Sequence, residues 1–375
     1  MANQLSIQEN FLLAPLTTLG IGGVARFFVE AGSEAELISA MEFAESRGLP
    51  IFILGGGSNV LISDEGFLGL VVRVAIKGIS TGSVNDLSDL QSANCGNSRS
   101  LTLPVPHQPP AIQITAGAGE DWDGFVRQCV ERNLAGVECL SGIPGFVGGT
   151  PVQNVGAYGQ EVSETIIRVR AFDRRSTQII ELSNAECGFS YRTSIFNSTE
   201  RDRYVVLAVT YGLRQDGEPA QRYPDVKNYF AGRSDQPTLA EVRQAIIEIR
   251  SRKGMVIVPD NPDCRSAGSF FKNPILSAEA FSKLEATANE RPPSFPATSG
   301  SIKVPAAWLI EHAGFQRGYA KGRAGISSKH TLAIINRGGA TASEVLDLVK
   351  EIQEQVAEKF DVALKPEPIF VGFNS

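Results

Sequence analysis

The stretch Ser141-Gly-Ile-Pro-Gly-Phe-Val-Gly-Gly-Thr-Pro-Val-Gln-Asn-Val-Gly-Ala-Tyr-Gly159 contains six glycines and two prolines, and neither a helical nor a strand period runs through it. Glycine lets the backbone pass close to a ligand because no Cβ intervenes, and successive N–H groups in such turns form concavities that bind anions. We therefore predict a loop that holds a phosphate-bearing ligand. A plain cluster of turns is the alternative.

A second glycine turn supports the ligand interpretation. The apolar run 49–54 is typical of a buried strand, and Gly55-Gly-Gly-Ser-Asn59 follows it directly. Two glycine turns at strand ends indicate one extended ligand. A Rossmann fingerprint is excluded because it needs glycine where Val60 stands and a helix after the turn. A Walker loop is excluded because no glycine run ends in Gly-Lys-Ser or Gly-Lys-Thr.

Composition narrows the classes of function. The 375-residue chain is 42% hydrophobic and carries a net charge of −6 with a pI near 5.4, which argues against a nucleic-acid partner. It has no apolar run of about 18 residues and no signal-like start, so we expect a cytoplasmic protein without a membrane partner. Three histidines and five cysteines without metal-ligand spacing predict neither a metal site nor a hydrolase triad.

The spacing of apolar residues and the positions of glycine and proline predict the helices and strands. Helical spacing of apolar residues predicts helices at 33–47, 122–132, 239–253 and 341–359, the last with a capping box of Thr341 and Glu344. Strands are predicted at 51–54, 71–75, 112–116 and 204–210, and 362–371 is predicted as an edge strand broken by two prolines. The polar, proline-containing segment 80–110 is predicted to be a disordered surface insertion without chemistry.

Five collinear motifs resemble the UDP-N-acetylenolpyruvoylglucosamine reductase family, and together they cover nearly the whole chain. They are 17–27, 55–61, 142–159, 191–196 and 267–274. The resemblance implies an α+β fold with a two-lobed FAD-binding region of the vanillyl-alcohol-oxidase (PCMH) type plus a separate α/β substrate-binding domain. The expected boundaries are 1–79 for the first FAD-binding lobe, 80–110 for the insertion, 111–214 for the second lobe, 215–360 for the substrate-binding domain and 361–375 for a C-terminal segment that returns to the active site.

The resemblance also implies an activity and its cofactors. We expect NADPH-dependent reduction of UDP-N-acetylglucosamine enolpyruvate to UDP-N-acetylmuramate, in peptidoglycan precursor synthesis, with NADPH and the UDP-sugar using the same site in turn. FAD is expected to be noncovalent, because no histidine or cysteine stands in a family attachment context. The expected FAD-binding residues are Gly55, Gly56, Gly57, Ser58, Asn59, Gly145, Gly148, Gly149, Gln153, Asn154 and Gly156. Arg26 is a further candidate near the flavin.

The reaction defines the catalytic roles. Reduction of an enol ether next to a carboxylate needs a hydride, a proton on the neighbouring carbon, and stabilisation of the charge that builds up on the carboxylate. The resemblance assigns the proton to Ser269, the carboxylate to Arg192, and a supporting acid to Glu367. The chain departs from the family after Glu367, where Pro368-Ile369 replaces the common valine and arginine. Tyr158, Tyr223, Lys253 and Asn273 are the expected substrate-binding residues.

Two other functions remain open from sequence. One is a flavin oxidase or dehydrogenase of the same fold that acts on alcohols or lactones. The other is a flavin-binding or regulatory protein that has lost turnover, which the unusual Pro368-Ile369 and the long insertion make conceivable. The serine and arginine motifs around Ser269 and Arg192 favour the reductase.

Overall fold

The computed structural model describes residues 5–82, 111–297 and 300–373. They form two compact units. The first unit comprises 5–6, 29–56, 72–82 and 111–250, and the second comprises 7–28, 57–71, 251–297 and 300–373. Among the described residues, no helix is long and apolar enough to cross a bilayer.

The elements are numbered along the chain. The strands are β1 (Gln8–Leu12), β2 (Val24–Ala31), β3 (Ile51–Leu54), β4 (Val60–Ile62), β5 (Phe67–Val74), β6 (Ile79–Gly82), β7 (Ala111–Gly117), β8 (Leu134–Ala135), β9 (Gly156–Ala157), β10 (Gln160–Glu161), β11 (Ile166–Asp173), β12 (Gln178–Ser183), β13 (Tyr204–Gln215), β14 (Ser266–Ser269), β15 (Ile275–Leu276), β16 (Phe295–Pro296), β17 (Ile302–Lys303), β18 (Ala320–Lys321), β19 (Ala324–Ile326), β20 (Ala333–Asn336) and β21 (Ile369–Val371). The α-helices are α1 (Glu34–Glu45), α2 (Trp122–Glu131), α3 (Pro224–Tyr229), α4 (Leu239–Arg252), α5 (Ala278–Thr287), α6 (Ala306–His312) and α7 (Ala342–Phe360).

The first unit is built on an antiparallel sheet of order β12-β11-β13-β7-β6, and β8 pairs with the end of β13. Strand β13 lies between β11 and β7 and is largely buried, as its apolar sequence predicts. Helix α2 packs on this strand through Trp122 and Phe125, whose rings lie 5.8 and 5.0 Å from the ring of Tyr211. The Tyr211 hydroxyl shares a 2.8 Å hydrogen bond with Thr150, so the sheet fixes one point of the glycine-rich stretch.

The second unit has its own core around α7. The helix begins at the predicted capping box, in which Thr341 and Glu344 exchange hydrogen bonds, and it buries Val345, Leu348 and Ile352. The antiparallel sheet β14-β20-β19-β18 and the ring of Phe270 belong to the same core. Strand β1 pairs with β2, and β21 pairs in parallel with β4. Burial of each large apolar side chain contributes roughly 1.5–3 kcal/mol, so α7 is a main source of this unit's stability.

Most predicted elements are confirmed, with two corrections. The predicted insertion begins too early, because Ser80 to Gly82 belong to β6 and pair with β7; the remainder, 83–110, lies outside the described residues. The predicted tail strand is only three residues long, and both prolines precede it. The compact units also divide the chain differently from the expected domains, because 215–250 clusters with the first unit and 7–28 and 57–71 cluster with 251–373.

Candidate active site

The glycines of the two turns have two different tasks in the first unit. A Cβ on Gly56 would lie 2.6 Å from the Cα of Gly145, and a Cβ on Gly148 would lie 2.6 Å from the Cβ of Ala118 and 3.1 Å from its Cα and carbonyl oxygen. These glycines therefore allow one backbone to pack on another. A Cβ on Gly55 or Gly149 would have no described atom within 4 Å. These two positions border open space, where a ligand can approach the backbone.

Backbone donors in both turns fit an anionic cofactor. Within the described residues, the N–H groups of Gly56, Gly145 and Phe146 donate to no protein acceptor. In the second unit the same holds for the N–H groups of Gly57 and Ser58. Backbone donors without a protein acceptor need water or a ligand, and clustered donors in turns form nests for phosphate groups. Within each unit, these backbone donors are therefore suited to bind a phosphate group.

Asn154 has a structural role that sequence did not reveal. Its Nδ2 donates to the Glu161 carboxylate at 2.8 Å and to the Ser190 carbonyl at 3.1 Å, and its Oδ1 accepts from the Ser163 N–H at 3.1 Å. The residue is 1% exposed and its φ is +45°. Because both donors and the acceptor of the amide are engaged, a cofactor contact at this position falls to the backbone.

Arg192 lies at the tip of a tight turn. Ser190 and Thr193 exchange backbone hydrogen bonds, and Arg192 between them has a φ of +54°. This conformation costs a non-glycine residue roughly 1–3 kcal/mol and persists where the surroundings fix it. Here the Asn197 side chain donates to the Arg192 carbonyl, and the Arg192 guanidinium donates to the Gly156 carbonyl at 2.7 Å. The fork of the predicted carboxylate-binding arginine is thus held against the glycine-rich stretch.

A buried cation holds the start of that stretch. Arg250 of α4 is 5% exposed, and its Nε donates to the Gly142 carbonyl at 3.2 Å. Burial lowers the pKa of Arg250, and its hydrogen bond with the Tyr158 hydroxyl and the nearby Asp123 carboxylate oppose that shift. The Tyr158 ring meets the exposed ring of Tyr223 edge to face at 5.5 Å. Two predicted substrate-binding tyrosines are therefore neighbours, and Arg250 supports them.

The other side of Gly142 is fixed by an ion pair. Asp123 of α2 accepts from the Gly142 N–H and binds both guanidinium nitrogens of Arg243 at 2.7 Å. Burial raises the pKa of Asp123, but the hydrogen bonds from Arg243 and Gly142 outweigh it, so the pKa lies below the ordinary value. Charge-assisted bidentate pairs of this kind are geometrically specific. Helices α2 and α4 thus jointly anchor the N-terminal end of the glycine-rich stretch.

Glu138 is a second buried charge that sequence reasoning missed. Its carboxylate accepts from the Gln160 side chain and from the Ala220 N–H, each at 2.8 Å, and from a backbone N–H two residues before it. The Cys139 thiol donates to the Ala220 carbonyl at 3.3 Å, and burial raises its pKa. Ala220 is therefore fixed through both its backbone groups, three residues before Tyr223.

The second unit contains the predicted proton donor. Ser266 pairs with Ile335 and Ser269 pairs with Ala333, so β14 has one residue more than β20 between the two pairs. This is a β-bulge, which redirects side chains and is common beside active sites. Gly268 supplies the required positive φ of +76°. Within the described residues, the half-buried Ser269 hydroxyl has no hydrogen-bond partner, which suits a group that must donate its proton.

Ser269 and Glu367 are linked by main-chain hydrogen bonds. Phe270, next to the serine, is fully buried; its N–H donates to the Leu332 carbonyl at 2.8 Å, and its carbonyl accepts from the Glu367 N–H at 2.8 Å. The Asn59 side chain donates to the Glu367 carbonyl at 3.3 Å. Glu367 is therefore held between the serine strand and the end of the first glycine turn.

The unusual prolines beside Glu367 fit this arrangement. The N–H groups of Glu367 and Ile369 both donate, to Phe270 and Asn59, so donors are required at alternate residues. Pro366 and Pro368 flank Glu367 at the positions that alternate with these donors, where the missing N–H costs nothing. The departure from the family pattern therefore leaves the backbone of Glu367 in place.

The remaining substrate-binding candidates of this unit are Asn273 and Lys253. The Asn273 side-chain oxygen accepts from the Ala306 N–H at 2.9 Å, where α6 begins, so a substrate contact falls to its Nδ2 group. Lys253 is half-buried and follows α4 directly. The additional candidate Arg26 is exposed beside the ring of Phe27.

The structure brings the predicted site residues into two groups. Those in the first unit are Gly55, Gly56, Gly145, Gly148, Gly149, Gln153, Asn154, Gly156, Tyr158, Arg192 and Tyr223. Those in the second are Gly57, Ser58, Asn59, Lys253, Ser269, Asn273 and Glu367. Arg250 was missed although sequence contains a signal for it: it lies four residues after Ile246, on the buried stripe of α4. No group of metal-binding side chains occurs in the part of the chain that the structure describes.

Comparisons with known proteins agree with this architecture. The FAD binding domain family matches residues 25–89 and 105–183, and the C-terminal domain of UDP-N-acetylenolpyruvoylglucosamine reductase matches 260–371. A reductase of that name from Thermobifida fusca is 43% identical over 98% of both chains, and one from Streptomyces coelicolor is 44% identical over 96% of this chain and 89% of its own. The crystal structure of the Thermus caldophilus reductase is 25% identical, with a TM-score of 0.61 over 98% of this chain and 99% of its own.

These matches confirm the predicted fold class, the FAD cofactor and the prediction of a flavin-dependent oxidoreductase. An identity of 43% over nearly the full length of both chains, as with the Thermobifida fusca relative, establishes membership of its family. The chain belongs to the UDP-N-acetylenolpyruvoylglucosamine reductase family.

Proposed function

We propose that this protein reduces UDP-N-acetylglucosamine enolpyruvate to UDP-N-acetylmuramate in peptidoglycan precursor synthesis, with NADPH as the source of the hydride. The observation that carries the proposal is the position of Ser269. Its hydroxyl stands on a bulged strand without a protein partner among the described residues, and the next residue is bonded to the backbone of Glu367. The reduction of an enol ether needs a proton donor for the carbon next to the one that receives the hydride, and a hydroxyl without a protein partner suits that role.

Bound FAD would supply the hydride-transfer chemistry between NADPH and the substrate. We propose that the backbone donors of Gly56, Gly145 and Phe146 hold it in the first unit, and those of Gly57 and Ser58 in the second. Gly55 and Gly149, beside which no described atom lies within 4 Å, leave space for its approach. A noncovalent attachment fits a site built from backbone groups.

Arg192 is proposed to bind the substrate carboxylate. The planar guanidinium suits bidentate binding, and it stabilises the negative charge that builds up on the carboxylate as the hydride arrives. The bond from Arg192 to the Gly156 carbonyl and the fixed turn reduce the reorganisation needed at that moment. Glu367 is proposed to act with it on the enolic intermediate.

Ser269 is proposed to deliver the proton to the carbon next to the one that receives the hydride. A serine hydroxyl is a weak acid, so the transfer needs a strongly basic carbon, and an enolate-like intermediate provides one. For the UDP group we propose Tyr158, Tyr223, Lys253 and Asn273. The edge-to-face contact of the two tyrosines supports a joint role.

An anaerobic two-step experiment tests the proposal. The protein is reduced with NADPH, then mixed with UDP-N-acetylglucosamine enolpyruvate while the flavin absorbance is followed. We expect prompt reoxidation with formation of UDP-N-acetylmuramate. The Ser269→Ala variant should be reduced by NADPH normally but reoxidised about 10²–10⁴-fold more slowly. A reduced flavin that is reoxidised only when oxygen is admitted would indicate an oxidase. Equal slowing of reduction by NADPH and reoxidation by substrate in the variant would contradict the role of Ser269.

A cytoplasmic location and the absence of a nucleic-acid partner stay predictions.

A further inference from the structure

Thr18 connects the first glycine turn with the strand that carries Ser269. Its N–H donates to the Gly57 carbonyl at 3.0 Å, and its hydroxyl donates to the Ser266 carbonyl at 2.7 Å. The neighbouring Thr17 differs, because among the described residues its hydroxyl bonds to Ala14 and Ile21 of its own turn. Thr17 therefore stabilises the local turn, while the Thr18 hydroxyl bonds to a residue 248 positions later in the sequence.

Ser266, to which Thr18 donates, is important because the β-bulge begins there. Ser266 is the last residue in register with β20 before the extra residue, and Ser269 is the first residue after it. The Ser266 hydroxyl also accepts from the Gly268 N–H at 3.3 Å. On the other side, the hydrogen bond from the Phe270 N–H to the Leu332 carbonyl fixes the strand. The direction of the Ser269 side chain is thus set by two anchors, and Thr18 supplies the first one.

We propose that Thr18 is a positioning residue, which fixes the Ser269 hydroxyl relative to the turn at Gly57. This inference rests on the proposed function, in which that turn holds FAD and Ser269 donates the proton. The turn proposed to hold FAD and the strand that carries Ser269 are then joined through the N–H and the hydroxyl of Thr18, so the hydride and the proton can reach neighbouring carbons of one substrate. A shift of about 1 Å in a reacting group costs up to about 10²-fold in rate, so the joint is expected to affect protonation.

The test variant is Thr18→Val, which keeps the β-branched shape and removes the hydroxyl. Thr18→Ser retains the hydroxyl and serves as the rescue variant. Thr115→Val is a matched control, because it removes a 2.8 Å hydroxyl pair with Thr210 in the sheet of the first unit. For each holoenzyme, NADPH-driven reduction and substrate-driven reoxidation of the flavin are measured separately, together with flavin content and hydrogen exchange of the peptide that contains 266–270.

We expect Thr18→Val to be reduced by NADPH within about twofold of the wild-type rate and reoxidised by substrate about 10–100-fold more slowly. Reoxidation should also show a larger slowing in D₂O than the wild type, because proton transfer becomes limiting. Hydrogen exchange in 266–270 should rise. Thr18→Ser should recover most of the rate, and Thr115→Val should leave both half-reactions unchanged.

Three outcomes would overturn the inference. They are wild-type reoxidation in Thr18→Val, unchanged exchange in 266–270, or equal loss of both half-reactions. If Thr18→Val does not fold, Ser266→Ala removes the bond to the Gly268 N–H instead, and normal reoxidation in that variant would equally contradict a bulge-controlled Ser269. Absence of substrate-driven reoxidation in the wild type would instead refute the proposed function, and with it this inference.

Discussion

Replacement of Gly56 by alanine should separate the two glycine turns. The new Cβ would lie 2.6 Å from the Gly145 Cα, 2.8 Å from its carbonyl carbon and 2.9 Å from the Phe146 nitrogen. All three are backbone atoms, so no side chain can move aside. An ordinary contact begins near 3.4 Å, and the turns must therefore move apart by about 0.8 Å. Overpacking of this kind costs about 1–3 kcal/mol.

The displacement should weaken FAD binding as well as stability. The N–H groups of Gly56, Gly145 and Phe146 lie at the point that moves, and a displaced donor loses much of a hydrogen bond to a charged oxygen, worth about 1.5–3 kcal/mol. Loss of one such bond corresponds to at least about a tenfold rise in the dissociation constant of FAD. The melting temperature of the flavin-free protein should fall by about 1–2 °C for each kcal/mol lost, because a chain of 375 residues has a large unfolding entropy.

Gly55→Ala is the matched control for Gly56→Ala. It adds the same methyl group one residue earlier, where no described atom lies within 4 Å. The flavin-free Gly55→Ala protein should therefore melt like the wild type, while FAD titration followed by flavin fluorescence should show weaker binding. Calorimetry of the flavin-free proteins and the titration together separate packing from ligand contact. A Gly56→Ala protein with wild-type melting and wild-type FAD affinity would refute the packing argument.

Two further predictions concern buried and capping acids. Glu138→Gln places an amide among three hydrogen-bond donors, so one donor is left unsatisfied at a cost of about 1–3 kcal/mol. We expect about a tenfold rise in the KM for the UDP-sugar with unchanged reduction by NADPH, and an unchanged KM would contradict the role of the Ala220 bond. The control Glu164→Gln, which breaks an exposed ion pair with Arg222, should change neither quantity. The Thr341 N–H and Arg323 lower the pKa of Glu344 to about 2, below its ordinary 4.5, so its contribution to stability is present above pH 4.5 and is lost as the pH falls towards 2. Urea unfolding at a series of pH values should show Glu344→Gln less stable than the wild type at pH 7 and the difference narrowing below pH 4.5; a constant difference would argue against this linkage.

The elements and the order of the motifs could be predicted from sequence because their signals are local. The capping box of α7 lies within four residues, and the apolar period of α4 lies within four turns. The role of Arg250 could not be predicted from the local sequence pattern. Its spacing from Ile246 placed it on the buried face, but a terminal cluster of basic residues is ordinarily solvated. Its bonds to Gly142, more than one hundred residues away, and to Tyr158 identify its role.

Glycines show the same limit more sharply. Gly55 and Gly56 are adjacent, identical and equally consistent with a ligand-binding turn, yet one borders open space and the other packs on Gly145. The difference depends on a partner about 90 residues later, so no local pattern contains it. Sequence correctly predicts that the turn needs glycine. It does not separate the glycines required by the cofactor from those required by the protein, and substitution of each in turn does.

A serine in a glycine turn does not by itself identify a proton donor, but the whole segment 268–273 is a specific motif. The structural roles of the neighbours of Ser269 show why. Gly268 forms the bulge with a positive φ, Phe270 fixes the strand through both backbone groups, and Phe271 is buried. Asn273 accepts the first N–H of α6. Gly268, Phe270, Phe271 and Asn273 thus each have a structural task in the strand that carries Ser269 or in the packing next to it. Lys272 contributes through its backbone, whose N–H donates to the Lys365 carbonyl and joins the strand to the segment before Glu367. A sequence that changes these neighbours and keeps the serine should therefore lose the reaction, because the proton donor would remain while its direction would not.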